Sequence, residues 1–321
     1  MKNVVDPTKK VDLQKFVVFG VAVLLFGFFA ILRPAYASYS NIMTIVLSTC
    51  VNGLLAIGVT FVIITGGIDL SVGPLMTFTG IMSGTALTVW GLPIWLCILI
   101  GILSGIFIGM CSGLLVTKLK LPPFIATMAM MMVLKGLNLV ISGVKPIYFT
   151  SVKGYQKIAL GSAFGIPGFY NAILIFVAFA IVGHIILSKT LLGRYAYAIG
   201  SNTQAARLSG IRVDTWIIVV YATSGFFCSI AGLIMSSRLN SAQPQLGPGY
   251  ELEAIAAAVI GGTSLAGGVG TIVGTLIGAF IMSELQNGLR TLAVSPEWQF
   301  VVIGMVLILS VAVDQLRRKN V

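Results

Sequence analysis

Charge is what this sequence has least of. Of its 321 residues only 9% are Asp, Glu, Lys or Arg, whereas a soluble domain carries roughly 25%. Histidine occurs once, at His184, and cysteine four times, at Cys50, Cys97, Cys111 and Cys228. The cysteines fall in or beside apolar runs without metal-ligand spacing, which excludes a disulfide framework and a zinc site and leaves small buried hydrophobes. There is no GxxxxGK[ST] phosphate loop, no HExxH, no GxSxG and no carboxylate pair inside an apolar run. Nucleotide hydrolysis and the common hydrolytic chemistries therefore lack their residues, and no cofactor or metal is expected on the chain.

Apolar residues are what it has most of, at 57%, and this is the composition of an integral membrane protein. Apolar runs extend over Phe16–Leu32, Ile42–Ile64, Ser71–Trp90, Leu92–Val116, Pro123–Ile141, Tyr170–Ser188, Thr215–Met235, Leu252–Ile260, Gly268–Leu285 and Trp298–Val313. The expected fold is therefore an all-α polytopic membrane protein of about ten transmembrane helices. Leu252–Ile260 is too short to cross alone, because crossing takes about 20 residues, so it continues through Gly261-Gly262 or stops as a half-helix. Ala35-Tyr36-Ala37 resembles a signal-peptidase site, but the run before it is long for a signal core and Arg33-Pro34 intervenes, so a retained helix is expected.

The net charge of +11 belongs to the ends of these runs rather than to a nucleic-acid surface. An even number of crossings places both termini on one side. With both in the cytoplasm, 13 of the 20 basic residues fall inside and 6 outside, with Lys135 left within a run. That bias predicts a cytoplasmic tail over residues 1–15, one membrane domain over 16–313, a cytoplasmic loop over 189–214, an outside loop over 142–169 and a cytoplasmic tail over 314–321. The outside loop has no periodicity of its own and reads as a lid or a docking surface.

The cytoplasmic loop holds a basic polar island, Gly193 to Val213. Asn202 or Thr203 is placed to cap a short helix opening Gln204-Ala205-Ala206-Arg207, and Gly210 to end it in a left-handed conformation. Docking on a partner and a solvated connector that merely obeys the charge rule are both open readings. A weak repeat aligns Gly66-Gly67-Ile68-Asp69-Leu70-Ser71-Val72-Gly73 with Gly261-Gly262-Thr263-Ser264-Leu265-Ala266-Gly267-Gly268. Paired interruptions of this kind point to a translocation path. Asp69 is either part of that path or a cap on the following helix, and the two roles are compatible. Lys135, Glu284 and Asn287 are further candidates for a polar path, and His184 reads as interfacial. Arg238 to Pro244 and Gly249 to Glu251 form an outside loop rich in hydrogen-bonding groups, with a plain turn as the other reading.

Several segments taken together resemble one family. TGGIDLSVG (Thr65–Gly73), GSNTQAARLSGI (Gly200–Ile211), SAQP (Ser241–Pro244), GYELEAIAAAVIGGTSLAGG (Gly249–Gly268) and GTLIGA (Gly274–Ala279) are similar to the ribose-type permeases of bacterial ABC sugar importers. The resemblance implies a vitamin B12-importer-like fold in the bacterial inner membrane. It also implies a complex of two permease copies, two cytoplasmic ATP-binding subunits that use the ATP, and an extracytoplasmic sugar-binding protein. By the same resemblance Gly200, Asn202, Gln204, Ala205, Ala206, Arg207, Leu208 and Gly210 dock on the ATPase. Gly66, Gly67, Asp69, Ser71, Gly261, Gly262, Thr263 and Ser264 line or hinge the path, and Arg238, Gln243, Tyr250 and Glu251 meet the binding protein. The expected cargo is ribose or a related pentose or hexose. Val269, where the family often has a basic residue, and the segment after Gly288 depart from the pattern.

Overall fold

The computed structural model describes residues 7–150, 152, 154–166 and 168–319, with side chains described from 18 to 316. The chain forms α1 (Pro7–Leu32), a 3-10 turn at Pro34–Ala37, α2 (Tyr39–Ile64), α3 (Val72–Thr88), α4 (Ile94–Thr117) and α5 (Pro123–Ser142). A strand β1 (Ile147–Tyr148) and a one-turn helix α6 (Lys157–Leu160) follow, then α7 (Asn171–Lys189), α8 (Leu191–Ser201), α9 (Thr203–Leu208) and α10 (Val213–Leu239). Strand β2 (Ser241–Ala242), α11 (Tyr250–Ile260), α12 (Ile272–Thr291) and α13 (Pro296–Lys319) complete it. Every expected apolar run is a helix. Among the described residues seven of them are long and apolar enough to cross a membrane, and apart from the β1–β2 ribbon the regular structure there is helical, that of a polytopic membrane protein. The expected tail over residues 1–15 lies outside the described residues up to residue 6, and helix α1 occupies the remainder from Pro7. Residues 320 and 321 of the C-terminal tail also lie outside them.

Helix α2 is the axis. Every residue from Thr49 to Ile64 is buried, which suits a helix that is apolar on all sides. It is ringed by α10, α12, α11 and α7. Helices α4, α5 and α13 lie outside this ring and turn large apolar side chains such as Leu103, Phe107, Val140 and Leu309 outward. Lys135 of α5 is half-buried and His184 of α7 is exposed. Tyr36 of the Ala-Tyr-Ala sequence is fully buried, its hydroxyl donating to the Glu284 carbonyl at 3.0 Å.

Between helices in lipid there is little hydrophobic drive, so close packing of small residues does the work. Gly101, Gly105, Gly109 and Gly113 form a stripe along α4, one residue per turn, against α10. A Cβ on Gly109 would stand 2.3 Å from the Tyr221 carbonyl oxygen, and one on Gly105 would stand 2.7 Å from that of Gly225. No side chain fits, and the two backbones touch instead.

The loop over 142–169, expected as a lid or a docking surface, is fastened to the helices beneath it. Phe149 and Tyr155 are fully buried beside Ile81, Ala86 and Cys97. The Tyr155 hydroxyl lies 3.2 Å from Ser83 Oγ and 3.0 Å from Ser236 Oγ, and β1 pairs with β2 through Ile147↔Ala242. These anchors are scattered single residues, which is why no period announces them.

The glycine stripe yields a direct test. Gly109→Ala should force α4 and α10 apart and cost about 1–3 kcal/mol, read as a lower melting temperature in detergent. Gly136→Ala, where a Cβ meets nothing within 4 Å, should be neutral or stabilise by up to about 1 kcal/mol.

Candidate functional site

The two glycine pairs found by alignment end their helices in the same way. After α2, the Gly66 N–H donates to the Ile63 carbonyl at 2.8 Å and the Gly67 N–H to that of Val62 at 3.1 Å. After α11, the Gly262 N–H donates to Val259 at 2.9 Å and the Thr263 N–H to Ala258 at 2.9 Å. Each is a Schellman closure around a left-handed glycine, Gly66 at φ +80° and Gly262 at φ +93°. The structural repeat therefore pairs Gly66 with Gly262, one residue later than the sequence alignment, because the backbone motif and not the first glycine sets the register. Helix α11 does stop at Ile260 as a half-helix, and α12 starts at Ile272 rather than Gly268.

The two breaks meet, and the end of α8 crosses them where they meet. The Gly268 N–H donates to the Ile64 carbonyl at 2.8 Å. A Cβ on Gly200 would fall 1.8 Å from that same carbonyl oxygen and 2.6 Å from the Gly268 nitrogen. On Gly267, at φ +86°, a Cβ would stand 3.0 Å from both the Gly66 nitrogen and the Gly200 oxygen. One turn earlier on α8, the Tyr197 hydroxyl donates to the Gly270 carbonyl at 2.7 Å. Three stretches of main chain thus share a space with no room for side chains.

The polar residues of the breaks are mostly sealed within the protein. Asp69 is 2% exposed; its Oδ1 accepts from the Ser71 N–H at 2.9 Å and the Ser71 hydroxyl at 2.6 Å, and its Oδ2 accepts from the Ser224 hydroxyl at 3.1 Å. Asp69 thereby closes the turn onto Ser71, the residue at the N-cap of α3, and ties that turn to α10. Thr263 is fully buried and its hydroxyl has no partner among the described residues, as is true of the Tyr221 hydroxyl beside Gly67. Gly261 is packed on α12, where a Cβ would meet the Gly274 oxygen at 2.3 Å. Gly262 and Ser264 line a groove of about 870 Å³ between α1, α11 and α13, and the Ser264 hydroxyl donates to Asp314 at 3.1 Å.

Helix α9 is built as its sequence requires. The Asn202 side chain accepts from the Ala205 N–H at 2.9 Å, and Gly210 at φ +83° closes a third Schellman motif, Ile211 N–H to Ala206 carbonyl at 3.1 Å. The hydrophobic contact that accompanies such a closure is present, with Ala206 and Ile211 packed alongside Ile199 and Val213. Here the expected docking face is corrected in one respect. Ala206 is 5% exposed and anchors the helix to its own chain, while Leu208 is 90% exposed, with Gln204 and Ala205 also outward. Arg207 donates to Asp214 at 3.1 Å across the surface.

At the connection from α10 to α11, Arg238, Gln243 and Tyr250 are half-buried. Glu251 is 7% exposed, its carboxylate accepting from the Gly249 N–H at 3.1 Å and lying against Gly73, so it turns inward rather than toward a partner. Sequence reading missed the polar cluster one turn along. The Glu253 carboxylate accepts from Asn52 of α2 at 3.1 Å and from Gln286 of α12, and the Asn52 amide also donates to Ser283 at 3.3 Å. Asn52 is a single polar residue inside an apolar run, whereas Ser283 and Gln286 belong to the polar end of α12 and Glu253 to the start of α11; these residues are visible in the sequence, but their pairing across three helices is not. Glu284 is elsewhere, fully buried at the edge of an apolar groove of about 510 Å³ between α1, α2, α7 and α12.

Comparison with known proteins places this geometry. The family model described as "Branched-chain amino acid transport system / permease component" matches residues 41–311. The chain is 44% identical over 287 residues to the ribose import permease protein RbsC of Bacillus subtilis, covering 89% of this chain and 88% of that one. It is 40% identical over 295 residues to the ribose import permease protein RbsC of Haemophilus influenzae, covering 91% and 90%. To the xylose transport system permease protein XylH of Escherichia coli K12 it is 34% identical over 376 residues, covering 97% and 94%. No solved structure matches the chain. With both breaks and the capped helix inside the matched span, the protein belongs to the branched-chain amino acid transport system permease family.

Proposed function

We propose that this protein is the membrane-spanning permease subunit of an ATP-driven importer for a monosaccharide, ribose or a related pentose or hexose. The observation that carries this reading is the 40–44% identity to ribose import permeases over about nine-tenths of the chain. The chain has a transport role, and ATP is hydrolysed on separate subunits. The assembly contains two identical copies of the permease, two cytoplasmic ATP-binding subunits and an extracytoplasmic sugar-binding protein. It sits in the bacterial inner membrane with ten crossings in a vitamin B12-importer-like arrangement, both termini in the cytoplasm. The charge bias of the loops supports that orientation.

In this reading α9 is the contact with the ATPase. Its outward Leu208 would be costly to leave in water and suits an apolar pocket on a partner, with Gln204 and Ala205 beside it. The Arg207–Asp214 pair is exposed on both sides, and such pairs contribute about 0–1 kcal/mol, so Arg207 exchanges readily onto an acidic group of the partner. Import then follows from a difference in contact between two states of the complex, since ATP-driven closure of the ATPases favours one position of α9 over the other.

The test is recovery of the complex from membranes together with uptake into vesicles. The wild-type chain should bring down an ATPase and take up sugar only with ATP. A wild-type chain recovered alone that moves sugar without ATP would overturn the reading in favour of an independent carrier. Leu208→Arg should abolish ATPase recovery and lower uptake by about tenfold or more, as loss of a central interface anchor does, with an unchanged melting temperature. Ala206→Arg should lower the melting temperature as well, because that position is buried. Asp69→Asn keeps an acceptor for Ser71 and turns a donor toward Ser224, so uptake should stay within about threefold of wild type. Asp69→Ala, which loses the hydrogen bonds to Ser71 and Ser224, should cost about 1 kcal/mol in stability.

A further inference from the structure

We propose that Gly200 and Tyr197 of α8 are positioning residues that pass movement of α9 to both glycine breaks at once. This rests on the reading of α9 as the ATPase contact.

Three observations carry it. First, α8 and α9 form one stiff unit. Asn202 is simultaneously the last cap of α8 and the first cap of α9, and Ala206 of α9 packs on Ile199 of α8. A single-residue joint braced by a buried contact cannot absorb a displacement, so force on α9 arrives at Gly200. Second, the unit grips the two breaks separately. Gly200 lies against the Ile64 carbonyl at the first break and against Gly268 at the second, and the Tyr197 hydroxyl holds the Gly270 carbonyl at 2.7 Å. The two breaks are themselves joined by the Gly268-to-Ile64 hydrogen bond, so neither shifts alone. Third, among the described residues each break holds a buried polar atom with no partner: the Tyr221 hydroxyl beside Gly67, and the Thr263 hydroxyl, whose Oγ1 lies 2.9 Å from where a Cβ on Gly270 would stand. No hydrogen bond from either hydroxyl opposes a shift of its break.

Backbone contact suits this task. A hydrogen bond between flexible side chains stretches or swings when pushed, whereas abutting main chains transmit a shift of a fraction of an ångström directly, because packed interiors are hardly compressible.

The experiment uses the complete complex of permease, ATPase and binding protein in proteoliposomes, with ribose as the probe. It measures ATP hydrolysis, ribose uptake and the ratio between them. Gly200→Ala should leave the ATPase bound and hydrolysis near wild type while uptake per ATP falls about tenfold, the size of a typical coupling between sites. Tyr197→Phe removes one hydrogen bond and no volume, and should lower the same ratio about two- to fivefold. Gly136→Ala, facing open space on α5, should change nothing. A role in stability alone would lower hydrolysis and uptake together and leave their ratio intact, and that result overturns the proposal. If Gly200→Ala does not assemble, Tyr197→Phe decides: a wild-type ratio in that variant sinks the idea. Failure of the importer reading itself shows differently, as a wild-type chain that recruits no ATPase.

Discussion

The structure depends on an approach between main chains that admits no side chain. Where Gly200 meets the Ile64 carbonyl and the Gly268 nitrogen, one backbone hydrogen bond of 2.8 Å joins two helix-ending turns, and a third segment lies across it. Any residue other than glycine at position 200 would place its Cβ inside a carbonyl oxygen. The same economy of space recurs between α4 and α10. In lipid, where apolar surfaces gain little by meeting each other, contact this close is how helices hold together and how the relative position of neighbouring turns is fixed.

Polar groups are few in this protein, and some of the buried ones join helices while others, the Glu284 carboxylate among them, have no partner among the described residues. Asp69 organises the turn into α3 and reaches α10, and Glu253 gathers amides from α2 and α12 at the start of the short helix α11. Buried carboxylates of this kind are expensive at membrane depth and persist where their hydrogen bonds are satisfied. Both occur beside interrupted helices, where backbone groups are already exposed and a side-chain acceptor has donors to collect. The exposed charges behave differently: Arg207 and Asp214 pair at the surface and contribute little to holding the fold.

The helices were readable from the sequence because a crossing is announced by length and apolarity together. That Leu252–Ile260 is too short to cross alone was readable too, but not whether it continues through Gly261-Gly262 or stops, as α11 does. The capped helix α9 followed from Asn202 and Gly210, residues whose backbone preferences are local. What could not be read depends on neighbours distant in sequence. That Ala206 faces inward needs Ile199 and Val213; that the outside loop is fastened needs Phe149 and Tyr155 to find Ser83, Ser236 and Ala242. The repeat was misaligned by one residue because glycine pairs look alike as letters, whereas only the second closes the turn after α11.

The burial of α2 has a consequence for how the protein is made. Most of its contacts are with α10, α11 and α12, which leave the ribosome long after it does. Until they arrive α2 must stand in lipid, and its largely apolar surface makes that a stable resting state, with Asn52 waiting for Glu253 and Ser283 and Thr60 for Thr275. Helix α11 has no such option. At 11 residues, or about 16 Å, it cannot span the bilayer by itself, so it enters only as α12 does, and the Glu253 cluster closes around Asn52 as a late event of assembly.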